Sequence, residues 1–356
     1  MLPGVAKRVV LHIGAMKSGT SFIQNVLHKN RAVLAEHDID FSGRRWRQQV
    51  LAVRELIDRG GENQEPMEPG GPWHQLVQDV RRFDGTSVIS MEFLAPRQEA
   101  KIAVVREAFA DADLQVVLTA RDLARSLPAM WTESTQNRGV RTWEEFLEGI
   151  RTEDMSHRST RWFWRNQRIS EIARRWSTEV GRNHFTLVTV PPKGAPPATL
   201  WDRFAQAAGI PAGVCDLDVR SNPQIDAASA MVLRALNERL SEDGFDRQEY
   251  DRVVKGVLAK QGLVRRGRET VPLGMDERWV RRKSREELDR LRSMDLRVVG
   301  DLEELAALPV PGLHTRKVSA EQQLEAALDG LAFLTRHQME RPPGRVPAPV
   351  DVERIP

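Results

Sequence analysis

Apolar and polar positions follow two rhythms along the first part of this chain. Four short runs rich in Val, Leu and Ile, at residues 8–13, 87–91, 114–119 and 185–190, are largely continuous rather than alternating. Runs of that kind read as strands buried on both faces of a sheet. Helical spacing fills the intervals, over residues 21–28, 45–59, 73–83 and 98–110. Strands alternating with helices predict an α/β fold of three layers, a central parallel sheet between helices. A ligand in such a fold sits beyond the carboxyl ends of the strands.

Later segments read differently. Residues 60–72, with Gly, Pro and Glu, predict a loop, and PPKGAPP after residue 190 predicts a stiff turn before a helix at 200–208. Asn222 and Pro223 read as the cap and opening of a helix over 225–240. Beyond it the chain is charged and helical through Leu263 and again over 277–294. The last residues, RPPGRVPAPVDVERIP, are Pro-rich and read as extended or disordered. The expected organisation is one α/β domain over residues 1–315, followed by a C-terminal helix and Pro-rich tail over 316–356.

Composition narrows the class. A chain of 356 residues with 40% hydrophobic residues can bury a large core. Its apolar runs fall short of the ~20 residues of a membrane span, and the N-terminal one is too short for a signal peptide. A single cysteine, Cys215, excludes an intrachain disulfide and a thiolate metal cluster. These features predict a cytoplasmic protein. A net charge of +3 suits an anionic ligand but falls short of a nucleic-acid-binding patch. Arg265-Arg266 and Arg281-Arg282-Lys283 have carboxylates nearby in sequence and read as solvated surface. The histidines are dispersed, so no metal site is expected.

The chemistry concentrates in HIGAMKSGTSFIQ, His12 to Gln24, where a strand meets a glycine-bounded loop and a helix. Loop amides and the first helical N–H groups converge on one spot there, and Lys17 adds a full charge. The junction predicts a phosphate-type site made by Lys17, Ser18, Gly19, Thr20 and Ser21. Gly14 and Gly19 have the separation of a Walker A loop, but Thr20 stands where that motif has its lysine.

A Lys-Ser-Gly-Thr-Ser loop with the lysine inside it resembles the 5′-phosphosulfate loop of sulfotransferases that use 3′-phosphoadenosine 5′-phosphosulfate (PAPS), and the surrounding residues are similar to the bacterial, actinobacterial-like branch of that family. Arg121, directly after the strand at 114–120, matches the family arginine that binds the 3′-phosphate. The helper serine that usually follows falls on Ala129, and Ser126, a turn earlier, or Arg125 is the available substitute. Weaker likenesses run through RTWEEFLEG, HFTLVTV, LWDRFAQAAGIP and LRVVGDLEEL, so the resemblance spans residues 8 to 305.

What the resemblance implies is a P-loop-like enzyme. It would move a sulfuryl group from PAPS to an acceptor hydroxyl, or in second place an amine, of a carbohydrate, lipid or small metabolite, without a metal. Lys17 would stabilise the moving charge. Glu92, at the end of the strand at 87–91, is the first choice for the base; its other reading is a turn cap or an arginine partner. His12 is either a packed core histidine or a second catalytic candidate. Trp162, Phe163 and Trp164 read as a helix packed on the core rather than a stacking platform. A P-loop kinase or NTPase, and a non-catalytic nucleotide-binding protein, remain the alternatives. Expected partners are a small-molecule or glycan acceptor, with no nucleic acid and no membrane span; the chain is a monomer or a homodimer.

Overall fold

A computed structural model describes residues 8–43, 45–59, 67–219, 225–242, 244, 246–266 and 271–340. The helix cap at Asn222 and Pro223, residues 60–66 of the expected loop, and the Pro-rich tail from residue 341 lie outside the described residues. The described parts of the chain divide into two compact units.

The first unit takes in the described parts of Met1–Met130, Glu144–Asn222 and Met275–Val310. Six of its strands form one parallel sheet: β1 (Arg8–His12), β2 (Ile39–Phe41), β3 (Thr86–Ser90), β4 (Asp113–Ala120), β5 (Phe185–Thr189) and β6 (Arg297–Val299). Their order across the sheet is β2-β3-β1-β4-β5-β6. The three-layer α/β reading therefore holds. Alternate residues of each strand point to opposite faces. Val9 and Leu11 of β1 pack with Ile89, Val116 and Leu118 under helices Trp46–Asp58, Pro72–Arg82, Glu99–Ala108 and Ile169–Val180. Val10 packs with Val88, Val117 and Val188 under helices Thr20–Lys29 and Pro197–Ala208. Both faces are dry, which explains the continuous apolar runs.

The chain places two strands that the hydrophobic pattern does not announce. β2 and β6 are three residues each and close the two edges of the sheet. The aromatic helix Arg158–Gln167 buries Phe163 and Trp164, and Trp164 Nε1 donates to the Ile150 carbonyl at 3.2 Å.

The second unit comprises the described parts of Trp131–Trp143, Pro223–Gly274 and Pro311–Pro356. It contains the helices Ala227–Glu242, Arg247–Tyr250 and Ala320–Met339 and a π-helical segment, Asp251–Gly262. Asn237 is buried within it, donating to the Thr135 and Gly139 carbonyls and accepting from the Tyr250 hydroxyl at 2.7 Å. The reading of Arg265-Arg266 as solvated surface is corrected here for Arg266, while Arg265 is exposed. The Arg266 side chain is 7% exposed, and it donates to Asp226 at 3.1 Å and to Asp329 at 2.9 Å. A guanidinium has enough fixed donors to serve two carboxylates at once, which is how the charge survives burial.

Candidate functional site

The loop after β1 is pinned on both sides. Met91 N donates to the His12 carbonyl at 2.9 Å, Ile13 N to Val117 O at 2.9 Å and Ala15 N to Thr119 O at 2.8 Å. The loop thus continues the sheet at the carboxyl ends of β3 and β4, where the parallel fold places ligands. Gln167, at the end of the aromatic helix, donates to the Met16 carbonyl at 2.7 Å and holds the loop from a third direction.

Two backbone features shape the turn. Lys17 has φ 66° and Gly19 has φ 86°, with Ser18 between them. A left-handed lysine is an uncommon choice, and such strain gathers at ligand sites. Gly19 N-caps the helix Thr20–Lys29, whose first amides have no intrahelical acceptor. Gly14 is required by close approach: a Cβ there would meet Thr119 Oγ1, lie 2.5 Å from Thr20 Cγ2 and 2.8 Å from His12 Nε2.

Beneath the loop runs a buried chain of hydrogen bonds whose direction can be worked out. Ser18 Oγ donates its one proton to the Ala15 carbonyl at 2.6 Å. The 2.7 Å contact between Ser18 Oγ and Thr119 Oγ1 must then be donated by Thr119. Thr119 has no proton left for His12, so His12 Nε2 donates to Thr119 Oγ1, at 3.1 Å. His12 Nδ1 therefore accepts from Ser90 Oγ, at 2.8 Å. The ring is a neutral imidazole with its proton on Nε2. Complete burial pushes its pKa down to about 3, because a buried charge loses its hydration. The ring also lies 5.0 Å from the Phe204 ring. Both nitrogens of His12 are thus spent on holding Ser90 and Thr119. Neither hydroxyl stands out in the sequence, since each lies on its own strand far along the chain.

Glu92 opens a single 3₁₀ turn, Glu92–Leu94, just past β3. Its Oε2 accepts from Gln24 Nε2 at 3.2 Å, and the same amide donates to the Ser90 carbonyl at 3.0 Å. Gln24 belongs to the helix that starts at the loop, so Glu92 and the loop are joined through one side chain. Among the described residues no ion pair ties Glu92 to an arginine.

Arg121 follows β4 directly. Its Nη2 donates to the Arg125 carbonyl at 2.9 Å, while its Nε is buried without a hydrogen-bond partner. Burial, and then the neighbouring Arg125 charge, lower the Arg121 pKa to about 10. Asp122 offers little relief, because it is paired with Arg125. Arg125 also donates to the Pro191 and Val190 carbonyls at 2.8 and 3.2 Å, so its guanidinium is occupied. Ser126 Oγ is fully buried and has no hydrogen-bond partner. Arg121 is therefore a cation short of counter-charge, two residues before the helix Leu123–Gln136 that carries the unspent hydroxyl of Ser126. Ala129 is buried and has no side-chain hydroxyl to offer.

Among the described residues no group of three or more His, Cys, Asp and Glu side chains gathers as a metal site would. No described helix is long and apolar enough to cross a membrane.

No protein family is matched by sequence, and no curated protein is matched. The solved structure of a sulfotransferase from Alicyclobacillus acidocaldarius is similar in fold. It is 15% identical, and the match covers 69% of this chain and 99% of that one at a TM-score of 0.43. A likeness of that degree leaves the chemistry of this chain to its own residues.

Proposed function

We propose that this protein is a sulfotransferase that takes its sulfuryl group from PAPS. The observation that carries the reading is the pair of anion sites at the carboxyl end of the sheet. One is the strained, amide-lined turn around Lys17. The other is the under-compensated Arg121. A donor with a phosphosulfate at one end and a separate 3′-phosphate near its ribose needs two such places. The unspent Arg121 Nε and Ser126 Oγ fit the second, and the turn fits the first.

PAPS, when bound, supplies an activated sulfuryl group and a phosphate leaving group. The turn amides and Lys17 would hold the phosphosulfate end and balance the charge that builds there during transfer. Arg121 would take the 3′-phosphate through charge-assisted hydrogen bonds, with Ser126 as the neighbouring donor. Glu92 would accept the proton of the acceptor hydroxyl, and its bond from Gln24 keeps one carboxylate oxygen oriented. His12, with both nitrogens engaged and its ring neutral, would position Thr119 and Ser18 under the loop rather than exchange a proton. The acceptor class stays as broad as the sequence left it: a hydroxyl, or in second place an amine, of a carbohydrate, lipid or small metabolite.

A thermal-shift panel tests the reading. Adenosine 3′,5′-bisphosphate should raise the melting temperature without added metal, since a ligand at a hundredfold its Kd adds ~2.7 kcal/mol to folding. Lys17→Ala should remove most of that shift. Stabilisation by ATP with magnesium, and none by the bisphosphate, would transfer the site to the kinase or NTPase class.

A further inference from the structure

Arg97 is a charge that donor binding leaves unused. The chain runs to it from Glu92 through the turn Glu92–Leu94, with Ala95 N donating to Glu92 O at 3.2 Å and Arg97 N to Leu94 O at 3.0 Å. Five residues span ~18 Å at most when extended, and these are coiled. Among the described residues the Arg97 guanidinium makes no hydrogen bond and no ion pair, and its Nε is buried. Two further arginines crowd it. Arg175 Nε donates to the Arg97 carbonyl at 3.0 Å. Arg165 stands exposed in the last turn of the helix Arg158–Gln167, with no ion pair among the described residues. Gln167 of that same helix holds the loop at Met16. Carboxylates are scarce here. Glu99 and Glu171 both pair with Arg174 at 3.4 Å, which leaves the exposed Asp58 to act on Arg97. Burial, and then the Arg165 charge, lower the Arg97 pKa to about 10 against the pull of Asp58. Arg121 is pushed equally far.

Position separates these two arginines. β3 and β4 flank β1 in the sheet. Arg121 follows β4 on one side of the loop, and Arg97 follows β3 on the other; at ~4.8 Å per strand the two strand ends are ~10 Å apart. A donor reaching from the loop to Arg121 lies over β1 and β4. The β3 side, with Glu92, is left for the acceptor. We propose that Arg97 and Arg165 form an anion subsite there, so that the hydroxyl to be sulfated belongs to a molecule that already carries a carboxylate, sulfate or phosphate group. The anion site stands on the arginines alone; its role toward the acceptor rests on the sulfotransferase reading. A guanidinium presents paired donors that match two oxygens of such a group. An anion between Arg97 and Arg165 also relieves their repulsion, whereas a neutral acceptor leaves Arg97 half-buried and unpaired.

Titration calorimetry on the full chain saturated with adenosine 3′,5′-bisphosphate reads the subsite, with D-glucose, D-glucuronate and D-glucose 6-phosphate as probes on one scaffold. At least one of the two acids should bind about tenfold or more tightly than glucose, the scale of one charge-assisted hydrogen bond. The tighter acid tells whether a carboxylate or a phosphate-type group is preferred. Arg97→Gln and Arg165→Gln should each erase the preference while keeping the bisphosphate-induced melting shift. Arg97→Gln should melt no lower than wild type, because it removes a charge without a partner. Glucose bound as tightly as both acids would overturn the proposal. So would neither acid binding at tens of millimolar, a preference that survives both variants, or an Arg97→Gln protein that melts well below wild type. If the bisphosphate itself fails to bind while acid binding still answers to Arg97, the donor reading falls, and the acceptor role with it. An intact bisphosphate shift without any acid preference removes the subsite alone.

Discussion

Acid should destabilise this protein through His12, by an amount that follows from its burial. The ring is wholly buried, both nitrogens are hydrogen-bonded, and its pKa is lowered to about 3 from 6.5. The native state therefore holds the neutral ring where the unfolded chain binds a proton. Stability rises with pH wherever the unfolded state binds more protons. Here that window runs from the folded value of about 3 up to 6.5. Stability is full above 6.5 and is lost progressively as pH falls. At pH 4.5, two units below the unfolded value, the loss is about 3 kcal/mol at 1.36 kcal/mol per unit. That is a large part of the 5–15 kcal/mol that holds a typical domain together.

Urea unfolding at pH 7 and pH 4.5 measures the loss, and carboxylates contribute to it as well. His12→Gln isolates the histidine, because its amide can still donate to Thr119 but does not titrate. The variant should be less stable at pH 7, having lost the ring packed against Phe204, and should lose about 3 kcal/mol less than wild type on going to pH 4.5. Nitrogen NMR of the wild-type ring provides a second reading that needs no variant: at pH 5 it should be neutral and protonated on Nε2. A His12 ring protonated at pH 5, or equal acid sensitivity in both proteins, would refute the reasoning.

Arg121→Ala should weaken adenosine 3′,5′-bisphosphate more than tenfold by calorimetry and leave 5′-AMP nearly unchanged; equal losses would make Arg121 a structural residue. Ser126→Ala should not lower the melting temperature of the free protein, because its hydroxyl has no partner to lose, and should lower bisphosphate affinity alone. Glu92→Gln should keep bisphosphate binding and cut turnover at least ~100-fold, the usual scale for removing a general base; retained turnover would remove Glu92 from the proton transfer. Arg266→Met should cost about 3–5 kcal/mol in urea unfolding, because it strands the Asp226 carboxylate in the interior; a loss under 1 kcal/mol would show that water reaches that carboxylate.

What the sequence determined by itself was local. The loop from His12 to Gln24 is legible because strand, glycines, lysine and helix are contiguous, and the anion binding proposed for it depends on amides a few residues apart. The strands at 8–13, 87–91, 114–119 and 185–190 are legible because burial on both faces makes most of their positions apolar. The edge strands Ile39–Phe41 and Arg297–Val299 are not: three residues hold no periodicity, and only the neighbouring strand makes them strands. Tertiary structure alone decided which side chains meet. His12 finds Ser90 and Thr119 across 78 and 107 positions, and Glu92 finds Gln24 across 68. Arg266 reads as a surface charge until Asp226 and Asp329, 40 and 63 positions away, arrive to neutralise it. Short-range pattern reports the conformation of a segment, whereas the protonation of a ring or the burial of a charge depends on partners that only the folded chain brings within hydrogen-bonding distance.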